Sequence, residues 1–147
     1  MIVLVSIVVL DQITKHVIST LLSANETIPV IKNIFHITLV QNTGIAFGLF
    51  RNQTPILIAV SIITIGLIAY NLLARKKDKQ FHFNEQRALF LILGGAIGNL
   101  IDRLAHGYVI DFLDFRIWPV FNIADSAITI GIILLLFQYI RSWRPIH

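Results

Sequence analysis

An all-α membrane protein, a four-transmembrane-helix bundle carrying a small extracytoplasmic β-like platform after its first helix, is the fold class this sequence predicts. Three observations carry that expectation. The chain is 56% hydrophobic and only 14% charged, with a mean hydropathy of +0.77, too apolar for an ordinary soluble domain. Four apolar stretches, at residues 1–22, 54–74, 87–105 and 120–139, are each long enough to cross a bilayer core. Residues 23–53 differ: they are rich in β-branched side chains, with a Pro near the start and Asn-Thr-Gly as a turn signal, which suits strands lying on a membrane surface. A single domain over residues 1–147 is expected.

The first span would measure about 33 Å as a helix. It lacks the basic start of a cleavable signal peptide, and Asp11 and Lys15 interrupt its apolar run. Four residues apart with the acid first, they are spaced for an ion pair along one helix face. Mutual neutralisation is the plainer expectation, because an unpaired charge in hydrocarbon costs roughly 3 kcal/mol or more; bracing a site is the alternative. In the segment that follows, Lys32, Asn33, His36, Gln41 and Asn42 exclude a lipid-facing span. Asn42 and Gly44 fit either a backbone turn or a binding role.

The second span, 54–74, opens on Thr54 and Pro55, a capping residue and a helix starter. Arg75, Lys76, Lys77 and Lys79 follow directly, and with Arg87 they mark the 75–87 loop as cytoplasmic. The third span carries Gly94 and Gly98 at the small-xxx-small spacing that admits a close helix neighbour. At its end Asn99, Asp102, Arg103 and His106 share one helix face, and such a polar stripe must look onto protein or a water-filled cavity. Gly107 is a stop signal. Residues 107–120 are expected as a loop, with Asp114 a solvated acid, Phe112, Phe115 and Trp118 as interface anchors and Pro119 starting the fourth helix. Arg141 and Arg144 return the C-terminus to the cytoplasm. Seven basic residues then lie inside, against Lys32, Arg51, Arg103 and Arg116 in the outer segments.

The chemistry rests on carboxylates. There is no cysteine, and the five histidines have no metal-ligand spacing, so no metal or cofactor is expected. No serine sits in a pattern that supplies a general base. Asp111 and Asp125 both fall on the outer side. On one continuous helix they would be about 21 Å apart, too far to share a water, but a loop folding back over the bundle mouth brings them together. Two close carboxyls hold one proton between them and divide acid and base roles. A plain structural use also exists, since Asp125 lies near the positive end of the fourth helix, where an acid gains up to about 1 kcal/mol. A small proton-coupled carrier is the competing class, but it calls for acids strung across the bilayer and commonly for duplicated halves. A non-catalytic scaffold is the third.

Five phrases in order, DQITK at 11–15, QNTGIAF at 41–47, GGAIGNLIDR at 94–103, VIDF at 109–112 and FNIADS at 121–126, make the chain resemble the bacterial lipoprotein signal peptidases, also called signal peptidase II. The resemblance spans nearly the whole chain. It implies an intramembrane aspartyl endopeptidase of the bacterial plasma membrane, cutting prolipoproteins just before a diacylglyceryl-modified cysteine. It puts the catalytic pair at Asp111 and Asp125, substrate contacts at Asn99, Arg103 and Asn122, and supporting contacts at Asp11, Lys15, Asn42, Gly44 and Asp102. The implied partners are a lipid-modified prolipoprotein and membrane lipid, with no nucleic acid; a monomer is expected, with both termini cytoplasmic and the site near the outer face. One departure is the short lead: only ten residues precede Asp11, fewer than the family commonly has.

Overall fold

The structure, a computed structural model, describes residues 1–44, 50, 52–75 and 83–142. Its elements run α1 (Ile2–Leu21), β1 (Thr27–Ile31), β2 (Phe35–Asn42), α2 (Thr54–Ala74), α3 (Phe83–His106), β3 (Val109–Asp114) and α4 (Ile123–Ser142). All four helices are long and apolar enough to cross a membrane. Lys76, Lys77 and Lys79 of the expected cytoplasmic loop, Arg51, Arg144 and residues 45–47 of the QNTGIAF phrase lie outside the described residues.

The bundle is built inside out relative to a soluble protein. Ile2, Val9, Ile13, Val17, Ile63, Leu67, Ile133 and Phe137 face outward, while the largest fully buried side chains are Lys15, Asn122, Asp11 and Asp111. Lipid solvates apolar side chains as well as a protein core does, so the polar groups are the ones that must turn inward and find partners.

Helix α3 is central, packing against α1, α2 and α4. Its glycines set the distances. A side chain on Gly94 would press on Leu4 and Ile7 of α1, and one on Gly98 would meet Asp11 Oδ2 at 2.5 Å, so the expected small-residue face is the one that receives α1. Gly95, not singled out by that spacing, admits α4: a Cβ there would drive into the backbone carbonyl of Ala124. Backbone cannot give way as a side-chain tip can. Gly95→Ala is therefore expected to lower stability by about 1–3 kcal/mol, read as an earlier thermal unfolding transition of the detergent-solubilised protein. An unchanged transition would show that α4 is not held this closely.

The three strands form one antiparallel sheet in the order β1-β2-β3. The hairpin β1-β2 is the expected platform, with Thr27 opposite Thr38 and Pro29 opposite His36. The third strand corrects the expectation of a loop over 107–120. Val109–Asp114 pairs with β2, Asn42 opposite Val109 and Val40 opposite Asp111, because Val-Ile-Asp-Phe-Leu alternates two faces that are both covered. Gly107 takes φ +81° as α3 ends, with its N–H on the Arg103 carbonyl at 3.0 Å, and this left-handed residue turns the chain into β3.

Three further expectations are corrected here. Asp114 is buried, not solvated: Thr38 Oγ1 donates to it at 2.8 Å and Arg116 donates through its backbone N–H at 2.8 Å and its guanidinium at 2.9 Å. Burial alone would raise its pKa, but these donors together hold it below the ordinary value. Phe112 is a core residue, whereas Phe115 and Trp118 are exposed. The fourth helix starts at Ile123, four residues after Pro119, because Asn122 supplies the cap.

Candidate active site

Residues 115–121 reverse the chain, and that reversal creates the site. Phe112 and Leu113 both donate backbone N–H to the Phe121 carbonyl, at 3.0 and 2.8 Å, and Phe121 N–H returns to Leu113 at 3.1 Å. Phe115 packs between Phe35 and Phe121, ring centres 4.9 and 5.9 Å away. Pinned there, the chain enters α4 beside β3, and Asp125 comes alongside Asp111.

Asn122 is the N-cap of α4. Its Oδ1 accepts the Asp125 backbone N–H at 2.8 Å, and the Asn122 N–H reaches back to Asp125 Oδ2 at 3.3 Å. This reciprocal pair is a capping box with Asp at the third position, typically worth about 1 kcal/mol. Asp125 therefore sits in the first turn, where the helix dipole favours its charge. The Asn122 amide group donates to Asp111 Oδ1 at 2.7 Å, and also faces Asn99 Oδ1 at 3.1 Å and the Ile110 carbonyl at 3.3 Å. One side chain thus touches both carboxylates' surroundings, and it is fully buried.

Each aspartate has a second amide donor. Asn42 Nδ2 reaches Asp111 Oδ2 at 2.8 Å from the diagonal position on β2, and Asn99 Nδ2 reaches Asp125 Oδ1 at 2.8 Å from α3. The backbone turn expected of Asn42 and Gly44 is present, since Asn42 Oδ1 also accepts the Gly44 N–H at 2.9 Å. Despite these donors, burial and then the Asp125 charge push the Asp111 carboxyl up to about 7; Asn42, Lys15 and Asn122 work against that rise.

Behind the carboxylates lies a buried charge cluster. Lys15 Nζ meets Asp11 Oδ2 at 2.8 Å and Asp102 Oδ2 at 2.9 Å. Asp11 Oδ1 accepts the Ala124 N–H at 2.9 Å, Asp102 Oδ2 accepts the Ile110 N–H at 3.0 Å, and Gln12 bridges Asp11 and Asp102 at 3.2 and 3.0 Å. The ion pair expected within α1 is present, and it also ties α1 to α3, α4 and β3. Breaking such a pair by removing one partner costs about 3–5 kcal/mol.

In front of the carboxylates is a cavity of about 730 Å³, with Asn42, Gly44, Asn99, Arg103, Asp111 and Asp125 forming its polar wall. The rest of its lining is mostly apolar, including Ile117, Trp118, Val120, Phe121 and Ile128, with Ser126 and Thr129 among them. Arg103 is half-buried and donates to the Gly44 carbonyl at 3.3 Å. Two expectations about lining change. Asn122 lies behind the carboxylates, and His106, expected on the polar stripe, is exposed and stacks on Tyr108 at 5.7 Å instead. The reach of α3's stripe ends at Arg103. Gln12 and Phe121 were not singled out from sequence; Gln12 follows Asp11 in the DQITK phrase, and nothing in the sequence marks Phe121 as a backbone partner of β3.

Comparison with known proteins identifies the family and the fold. A family model described as signal peptidase (SPase) II matches residues 3–141. A relative named lipoprotein signal peptidase from Moorella thermoacetica is 47% identical over 134 residues, covering 90% of this chain and 86% of its own. One of the same name from a Nostoc species is 47% identical over 143 residues, covering 93% and 86%. A solved structure described as a bacterial membrane enzyme at 2.3 Å resolution superposes with a TM-score of 0.88 at 35% identity, covering 95% of this chain and 86% of that one. With a family match over nearly its full length, relatives this similar and a shared fold, the chain belongs to the signal peptidase II family.

Proposed function

We propose that this chain is a membrane aspartyl endopeptidase, a single domain over 1–147 acting as a monomer, that removes signal peptides from diacylglyceryl-modified prolipoproteins just before the lipidated cysteine. The observation that carries the reading is the presence of Asp111 and Asp125 together on one wall of a cavity whose remaining lining is mostly apolar. A lipidated peptide needs both: carboxylates for hydrolysis and hydrocarbon-like walls for the acyl chains.

In the proposed cycle the pair shares one proton, held by Asp111. Asp125 takes a proton from a water placed between the two, the water attacks the scissile carbonyl, and Asp111 protonates the departing amine. Arg103, on the cavity wall, contacts the substrate backbone. Asn42, Asn99 and Asn122 orient the carboxylates, and Gly44 keeps the Asn42 turn. No cofactor enters these steps. The test is signal-peptide release from a diacylglyceryl-modified preprolipoprotein by the purified protein in detergent. Release is expected from the modified substrate; equal release from the unmodified form would remove lipid from the recognition.

The site end of the bundle, with the sheet, is proposed to face away from the cytoplasm, both termini inside. Supporting this, Arg75, Arg87 and Arg141 lie at the opposite helix ends. A cysteine tag within residues 24–32 should react with an impermeant reagent added to intact cells, and one within 75–85 should not. The opposite labelling pattern would reverse the orientation.

A further inference from the structure

Lys15 carries one contact that charge neutralisation does not require. Besides Asp11 and Asp102, its ammonium donates to Asn99 Oδ1 at 3.0 Å, with the side chain 2% exposed. The same oxygen accepts from Asn122 Nδ2 at 3.1 Å. With two donors on its oxygen, the Asn99 carboxamide has one favourable orientation, its NH2 group directed at Asp125 Oδ1. Rotated by half a turn, that NH2 would oppose an ammonium and another amide NH2, and its oxygen would oppose a carboxylate. Each of those contacts is repulsive, and those at the ammonium and the Asn122 amide are buried.

We infer that Lys15 is a positioning residue for peptide hydrolysis: from α1 it locks the Asn99 carboxamide, which presents its N–H to Asp125, and through the shared Asn99 oxygen it steadies Asn122 against Asp111. The inference rests on the aspartyl peptidase reading above. It separates two jobs within the buried cluster. Asp11 and Asp102 fasten backbone N–H groups of Ala124 and Ile110, holding α4 and β3 in place, while Lys15 sets the direction of the hydrogen bonds that reach the reacting pair.

The charged and polar groups facing that pair are Asp11 and Lys15 from α1, Asn42 from β2, Asn99, Asp102 and Arg103 from α3, and Asn122 at the start of α4. Lys15 favours the ionised form of Asp111. Its loss therefore raises the pH at which Asp111 gives up its proton.

Lys15→Met alone would leave two buried carboxylates without their cation and is expected to lose folding stability. The test therefore uses the charge-compensated variant Lys15→Met/Asp11→Asn in the full-length protein, since Asn at 11 keeps an oxygen for the Ala124 N–H. Cleavage of a diacylglyceryl-modified preprolipoprotein in detergent is expected to show kcat reduced about 10- to 100-fold, the equivalent of one lost hydrogen bond to a charged group. KM should stay within about twofold, and the alkaline limb of the pH profile should move upward. Adding Asn99→Ala to that variant should reduce kcat no further than Asn99→Ala does alone, because Lys15 works through Asn99. If the two losses multiply, or the alkaline limb stays in place, the positioning role is overturned and Lys15 is a structural cation. Asp111→Asn, run alongside, judges the underlying reading separately. Cleavage that survives in Asp111→Asn sinks the aspartyl mechanism, whereas cleavage lost there with multiplying Lys15 and Asn99 effects sinks only the positioning role.

Discussion

Asp111→Asn and Asp125→Asn are each expected to reduce signal-peptide release by about 10³-fold or more, with the protein still folded. The two substitutions are alike in size and differ in their structural cost. Both Asp111 oxygens accept amide hydrogen bonds, from Asn42 at 2.8 Å and Asn122 at 2.7 Å. An asparagine there must turn its NH2 towards one of those donors, leaving a buried mismatch of about 1–3 kcal/mol. Asp125 accepts from Asn99 at 2.8 Å and more weakly from the Asn122 N–H at 3.3 Å, so an asparagine can keep the stronger contact and surrender the weaker. Thermal unfolding should therefore drop for Asp111→Asn and stay nearer the parent for Asp125→Asn, while both lose cleavage. The double variant should be no slower than either single one, because two groups that act as a unit are not additive. Near-parental cleavage in either single variant would remove the two-aspartate mechanism.

The second expected result is a pH profile with an alkaline limb near 7. Burial and the neighbouring Asp125 hold a proton on Asp111 up to about 7, and its loss leaves the leaving amine without an acid. The dependence of kcat/KM on pH reports the free enzyme, so the limb belongs to the pair as it stands in the empty site. The Asn42 hydrogen bond opposes the upward shift, so Asn42→Ala should move the limb to higher pH. Movement to lower pH would mean that water entering the vacated space outweighs the lost donor. Stability follows with the sign set by linkage. The folded value lies above the unfolded carboxyl value of about 4, so the folded protein holds this proton more tightly, and the contribution is lost as pH rises from about 4 through 7. Three pKa units bound that loss at about 4 kcal/mol. Asp114 works the other way: its depressed pKa contributes stability above the unfolded value that is lost on acidification.

Much of this protein was legible because a membrane punishes ambiguity. Apolar stretches of span length have few alternatives in a bilayer, and all four appear as helices. The Asp11–Lys15 spacing was readable for the same reason, since a lone charge there has no solvent to satisfy it. The glycine face of α3 was half legible: Gly94 and Gly98 stand at a recognisable interval, but Gly95 depends on where α4 lies, which no local pattern records. Residues 107–120 were misread as a loop because six alternating residues bounded by Gly107 and a buried Asp114 form a strand only when β2 supplies its partner. Asp114 looked solvated because its partners, Thr38 and Arg116, are respectively far away in sequence and hidden in a tight turn.

What the sequence determined by itself was the set of participants: four spans, a platform between the first two, and Asp111 and Asp125 as the acids to watch, in phrases that resemble one peptidase family. What only the tertiary structure decided was their arrangement. The fold-back pinned by Phe121, the capping box that sets Asp125 in the first turn of α4, and the Lys15–Asn99–Asn122 chain all join residues of distant segments. Helix length and burial are one-dimensional properties that hydropathy encodes residue by residue. A carboxylate's partners are set by where the backbone returns, and that depends on the packing of the whole bundle.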